Sequence, residues 1–313
     1  MMMMMMSNLP HDLVEEILTR APLKSLRAVR STCKKWNALT KDRSFTDKHI
    51  GKVTASGEKE FLMLVGYRVY LIGVNVHGIQ NNNVDVSIKR KAKLIALDDS
   101  EFHRSQVFRV FHSNGLLLCV LDTRLVVWNP YWGKPKSIKR RHSMCTSSEI
   151  FSLGYDKSCG SQKVLSLFQN KVEIYDLSSN SWMLTDCTVE WELYYIKCSL
   201  SLKGNTYWYA KDFKLEEYII CFDFTKERFG PCPPLPMSFI NKRYSPSIHA
   251  IREEMLAVLL QPWNTYELEI WVTNKIEPDA LPWSKFLKIN KRPISVMCGG
   301  FLIDEEKKLA LFF

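Results

Sequence analysis

The sequence predicts an α+β chain of two parts, a small N-terminal helical segment followed by a larger all-β, propeller-like domain. Three observations predict it. Apolar residues between positions 9 and 50 recur at helical spacing. From about residue 60 they fall instead into short runs separated by turn residues. Finally, an aromatic followed by Asn or Asp and a turn occurs at Trp128-Asn129, Tyr175-Asp176 and Phe222-Asp223, so the polar residue returns every 47 positions. A period of about 40 to 50 residues holding several strands is what propeller blades give.

Composition bounds the rest. The 313 residues are 46% hydrophobic and 24% charged, with 13 Gly and 13 Pro, which excludes disordered, collagen-like and low-complexity chains. Lys and Arg outnumber Asp and Glu by 43 to 33, and the net +10 calls for an acidic partner. No apolar run reaches the roughly 18 to 20 residues of a membrane span; the longest, 61–74, is interrupted by Arg68. The six opening methionines have neither a basic residue before them nor a cleavage site after them, and read as a frayed leader. Nine cysteines, none in a Cys-x-x-Cys pair, read as buried free thiols of a reducing compartment, cytosol or nucleus.

The helical part comes first. Pro10 suits a first helical position, and Asp12, Glu15 and Glu16 follow where acids favour the helix dipole. At 100° per residue Leu13, Ile17, Ala21, Val14 and Leu18 fall within an arc of about 140°, one apolar stripe. Glu16 and Arg20, four apart on the far side, can pair in solvent, and Pro22 ends the helix. Taken as a continuous helix from Leu23, residues Leu26, Val29, Cys33 and Trp36 share one face, and Lys24, Arg27, Arg30, Lys34 and Lys35 the next. A unit of about 45 residues is too small to be comfortably self-sufficient, so part of its apolar surface should be covered by something else. Residues 1–52 hold ten Lys or Arg and five acids, about half of the chain's net charge.

The run Leu9-Pro10-His11-Asp12-Leu13-Val14-Glu15-Glu16-Ile17-Leu18, with Pro22-Leu23-Lys24-Ser25-Leu26, Cys33-Lys34-Lys35-Trp36 and Phe45 to His49, resembles a plant-type F-box. The resemblance implies docking to a Skp-type adaptor and, through it, to a cullin-based ubiquitin ligase. It implies that Leu9, Pro10, Leu13, Ile17 and Leu18 meet the adaptor. Leu23, Leu26, Val29, Cys33 and Trp36 would be shared between that contact and internal packing.

In the second part the clearest strands are 61–65, 69–74, 116–121, 125–128, 164–168, 172–175, 206–209, 218–222, 256–260 and 268–272. Trp182 and Phe229 stand six residues after the repeated Asp, and a looser fourth copy, Trp271 to Asn274, is followed by Trp283. These aromatics are expected to pack between blades, and the Asn and Asp to cap turns. Residues 60–313 make about five and a half such units, so either the strand at 309–313 closes the ring or the ring is incomplete. Gly115 to Leu118, Val127 to Pro130, Leu153 to Asp156, Lys203 to Trp208, Phe222 to Phe229 and Glu269 to Val272 resemble the plant F-box-associated domain, which is similar to kelch propellers. Unlike kelch repeats, the chain has a paired glycine only at 299–300. The domains expected are thus 1–50 and 51–313.

No catalytic, P-loop or dinucleotide motif is present, and the seven histidines are isolated, with His112 and His249 read as structural. The acid pairs at 98–99, 216–217, 253–254 and 305–306 read as solvated faces. No cofactor or metal is called for. The basic clusters at 89–93 and 134–142 read as exposed loops between strands, and 134–145, 231–244 and 261–265 as target-binding loops. The expected function is a non-catalytic substrate-recognition subunit of a Skp-cullin-F-box ubiquitin ligase that presents an unknown target protein. The alternative is a basic nucleic-acid-binding propeller outside ubiquitination, and the charge on the helical part favours the adaptor.

Overall fold

The computed structural model describes residues 9–21, 23–42, 44–45, 48, 58–80, 83–93, 106–129, 135–142, 149–188, 193–212, 217–230, 235, 246–251, 254–261, 267–274, 276, 281–290, 301–304 and 309–312. The chain divides into two compact units, Met1–Val110 with Gly115–Met144, and Phe111–Asn114 with Cys145–Phe313.

The first unit opens with three helices, α1 (His11–Thr19), α2 (Leu23–Thr32) and α3 (Lys34–Leu39). Pro10 lies one residue ahead of α1 rather than inside it, with φ −52° and ψ 146°. Its carbonyl accepts the Leu13 and Val14 amides at 3.1 Å, which relieves two of the helix's unpaired donors. Helix α1 stops at Thr19, ahead of Pro22, which lies outside the described residues. Cys33 is extended (φ −147°, ψ 131°) and breaks the continuous helix expected from Leu23 into α2 and α3. The angular reckoning that joined Trp36 to the α2 face therefore fails at Cys33. Val14, Leu18, Leu26 and Phe45 form the core of this part, with Leu9, Ala21, Val29, Trp36 and Leu39 packed against it.

The same unit contains β1 (Glu58–Val65), β2 (Arg68–Gln80) and β3 (Asn83–Lys93) in the antiparallel order β1-β2-β3. Next come β4 (Val107–Ser113), β5 (Leu116–Leu121), β6 (Arg124–Trp128) and β7 (Lys136–Lys139), a sheet ordered β4-β5-β6-β7. Val69 of β2 joins Val107, Leu117, Cys119, Leu121, Val126 and Trp128 in one buried cluster.

The second unit repeats the four-stranded meander. Strands β8 (Ile150–Tyr155), β9 (Gln162–Phe168), β10 (Lys171–Asp176) and β11 (Ser181–Thr188) form one sheet in chain order. Strands β12 (Leu193–Leu202), β13 (Asn205–Asp212), β14 (Glu217–Asp223) and β15 (Arg228–Phe229) form the next. A third consists of β16 (Ser247–Ile251), β17 (Met255–Leu260), β18 (Leu268–Thr273) and β19 (Trp283–Ile289), and β20 (Phe301–Asp304) pairs with β21 (Leu309–Phe312). The first strands of successive sheets meet: β8 touches β12, β12 touches β16, and β16 touches β20. Each sheet interface has its own core. Leu165, Ile174, Trp208 and Phe222 fill the first, Tyr207, Ile219, Leu256 and Val258 the second, and Leu259, Ile270, Phe301 and Ile303 the third.

The 47-residue repeat falls at the same place in three of the four-stranded sheets. Asp176 and Asp223 end the third strand, and Asn129 follows it. Asp176 Oδ1 accepts the Ser178 amide at 2.7 Å, and Asp223 Oδ1 accepts those of Thr225 and Lys226 at 2.9 and 3.1 Å, the turn-capping role expected of them. Trp182, Phe229 and Trp283 all lie on fourth strands, opposite Tyr175, Phe222 and Thr273. Phe229 and Trp283 pack against inter-sheet cores, as expected. Trp182 differs, stacking edge-on against Tyr175 of its own sheet at 5.3 Å.

Candidate functional site

The apolar stripe of α1 is wider than the helical core can cover. Val14 and Leu18 are buried at 8% and 5% exposure, whereas Leu13 and Ile17, one turn apart, are 51% and 45% exposed. Pro10 is exposed at the same end of the helix. Among the described residues, α1 thus presents two large aliphatic side chains to solvent on one face. The far side of α1 is polar as expected, with Arg20 Nη2 and Nε donating to Glu16 Oε1 at 2.6 and 3.0 Å. A second ion pair, Lys48 Nζ to Glu15 Oε1 at 2.9 Å, joins residues 33 apart and has no local sequence signal.

The residues implied by the resemblance therefore separate. Pro10, Leu13 and Ile17 are on the surface, Leu18 and Leu26 are core, and Leu9, Val29, Cys33 and Trp36 are half-buried. Leu23 opens α2, and its side chain lies outside the described residues. The basic face thins where Arg30 turns inward, its Nε donating to Thr40 Oγ1 at 3.0 Å and its Nη2 to the Thr40 carbonyl at 3.3 Å. Burial lowers the Arg30 pKa. Lys34 and Lys35 remain exposed.

Elsewhere the polar clusters hold the fold together. Lys163, 7% exposed at its side chain, donates to Glu227 at 2.8 Å and to Asp156 at 3.3 Å, and so ties β9 to the turn after β14. Burial alone would lower the Lys163 pKa, but its two carboxylate partners raise it. The Ser158 hydroxyl and amide, helped by Lys163, hold Asp156 down at about 2. His249 accepts the Phe301 amide at 3.4 Å, and its ring lies edge-on to Phe301 at 4.4 Å. Burial lowers His249 to about 4, in keeping with the structural role expected of it. Glu217 departs from the solvated face expected of the acid pairs. Its side chain is 10% exposed on β14, burial raises its pKa, and Lys211 Nζ donates to it at 3.3 Å. Among the described residues no group of three or more His, Cys, Asp or Glu could hold a metal ion, and no helix is long and apolar enough to cross a membrane.

Parts of the basic clusters are strand rather than inter-strand loop, while residues 140–142 follow β7 outside any strand. Residues 89–93 lie on β3 and Lys136–Lys139 form β7, and both strands end their sheets. Arg140 is buried at 6% exposure and donates Nη1 to the Asp122 carbonyl at 2.9 Å, where it anchors the β5–β6 turn. Of the expected target-binding loops, 236–244 and 262–265 lie outside the described residues, as do 231–234 and 143–145. The thiols also differ from expectation, since Cys159 is exposed.

A small helical part with two exposed aliphatic side chains on α1, followed by repeated antiparallel sheets, sets the class of the chain. Residues 6–48 match the F-box domain family, and residues 60–313 the F-box associated beta propeller domain. The chain belongs to the F-box proteins that carry this associated domain. An F-box protein of Arabidopsis thaliana is 52% identical over 99% of this chain and 86% of its own length. A putative F-box/kelch-repeat protein of the same plant is 54% identical over the same shares. Another Arabidopsis F-box protein is 44% identical over 98% of this chain and 88% of its own.

Proposed function

We propose that this protein is a non-catalytic substrate receptor of a Skp-cullin-F-box ubiquitin ligase, working in cytoplasm or nucleus. Residues 1–50 dock on a Skp-type adaptor and 51–313 hold the target protein, so that the chain contributes proximity rather than chemistry. The observation that carries the reading is the pair Leu13 and Ile17, exposed together on α1 while the other half of the same stripe is core. Family membership supports it. Pro10, Leu13 and Ile17 make the direct contact, and Leu18, Leu26 and Trp36 hold the helices that present it. Leu9, Leu23, Val29 and Cys33 flank that contact.

The test is co-purification of the full chain with a Skp-type adaptor, wild type against Leu13→Ser plus Ile17→Ser. Interface anchors of this size carry about 2 kcal/mol each. The double variant should lose adaptor binding at unchanged melting temperature. Undiminished binding would sink the assignment.

A further inference from the structure

The four-stranded sheets differ in how they protect their outer strand. An edge strand presents unpaired N–H and C=O groups that invite another chain to pair, and proteins blunt such edges with lysines or by keeping the strand short. Strand β7 reads Lys-Ser-Ile-Lys, β15 is two residues long, and β19 carries Lys285 and Lys288. Strand β11 has neither device. It is eight residues long, Ser-Trp-Met-Leu-Thr-Asp-Cys-Thr, with no Lys or Arg, and it ends its sheet. Met183 is 45% and Leu184 61% exposed, and as neighbours on a strand they stand on opposite faces.

The register limits where a partner can lie. Asp176 to Glu173 of β10 pair regularly with Ser181 to Leu184, after which the ladder shifts through a bulge to reach Thr188. The bulge twists the strand away, so the usable edge is Ser181–Leu184, about 13 Å long. On one face Leu184 follows Trp182, whose ring is held edge-on against Tyr175, and together they offer a firm apolar ledge to the alternate side chains of an added strand.

We propose that the β11 edge at Ser181–Leu184 takes up a short extended segment of the target protein as an added antiparallel or parallel strand, with apolar side chains at alternate positions. The assignment deepens the receptor reading and rests on it for the identity of the partner. An edge this short buries a few hundred Å² at most, well below the roughly 1,200 Å² of a stable protein interface. That suits a peptide segment bound transiently and argues against a second copy of this chain. The edge Ser181–Leu184 carries no charged residue, the strand's one charge, Asp186, lying past Leu184 in the bulged part, so it suits an uncharged apolar segment.

The experiment selects a displayed random heptapeptide library against the full chain. The best enriched peptide is then resynthesised with single N-methylated amides, and binding is read by fluorescence anisotropy. Enriched peptides should alternate apolar residues and lose affinity at least tenfold when methylated at every second amide. Amide exchange should slow at Ser181–Leu184. Leu184→Lys and Met183→Lys should each weaken binding at least tenfold at unchanged melting temperature, while Ser137→Lys on β7 changes nothing. Absence of enrichment, equal binding to the lysine variants, or protection on another strand would each overturn the proposal. The Leu13→Ser plus Ile17→Ser chain should bind the peptide normally. Peptide binding by wild type without adaptor binding would overturn the receptor reading alone.

Discussion

Phe224 lies so close over Gly154 that a β-carbon at that glycine would come within 2.3 Å of the ring's Cδ2 and Cε2. The Gly204 carbonyl would stand 2.8 Å away on the same side. A backbone and a ring thus meet where β8 faces the turn after β14, and any side chain there must displace one of them. Gly154→Ala is expected to destabilise the fold by about 1–3 kcal/mol through overpacking. Urea denaturation checks it, and Phe224→Leu should recover part of the loss because it vacates the contested space.

The two halves of the α1 stripe should answer differently to truncation. Leu18→Ala and Leu26→Ala empty the helical core and should each cost about 2–5 kcal/mol. Leu13→Ser and Ile17→Ser remove exposed groups and should stay within about 0.5 kcal/mol of wild type. A thermal melt of the four variants separates the core half of the stripe from its exposed half.

Acid should weaken the protein in two windows. His249 falls from 6.5 in the unfolded chain to about 4 when folded, so between those values the unfolded state binds more protons, and stability drops as pH falls through the interval. Asp156 falls from 3.8 to about 2, so its contribution is present above 3.8 and is lost as pH falls toward 2. His249→Gln should flatten the first window and Asp156→Asn the second. Denaturant midpoints measured across pH 2 to 7 read both.

Among the five described thiols, reactivity should follow burial. Burial pushes Cys119 up to about 12 and Cys221 to about 11, leaving almost no thiolate near neutrality. Cys159, exposed in the turn after β8, should be alkylated first and Cys119 only on unfolding. Timed alkylation with peptide mass mapping tests the order.

What the sequence reveals here follows the number of covered faces. The strands legible in the β domain are chiefly the second and third of each sheet, such as β5, β9, β10 and β17, which run buried on both faces and so read as continuous apolar stretches. First strands are less legible because polar residues interrupt them, as at Ser152 in β8 and His249 in β16. Among the fourth strands, β7 reads as a charged loop because of its lysines, and β15 is too short to register as a strand. The α1 stripe is half legible. Periodicity found the stripe of α1, but its division between core and surface depends on Phe45 and Trp36, which lie far along the chain. The break at Cys33 came from backbone geometry that no apolar spacing encodes. The inward turn of Arg30 depends on Thr40, ten residues away.

In the second unit each buried core joins one sheet to the next in chain order, and the first strands touch in that same sequence. Coupling through shared cores of this kind should make the energy of any sheet depend chiefly on itself and its immediate neighbours. Damage should therefore stay local. A substitution among Leu165, Ile174 and Phe222 would loosen two sheets and leave the β20–β21 pair protected against hydrogen exchange, so that the unit melts in steps rather than all at once.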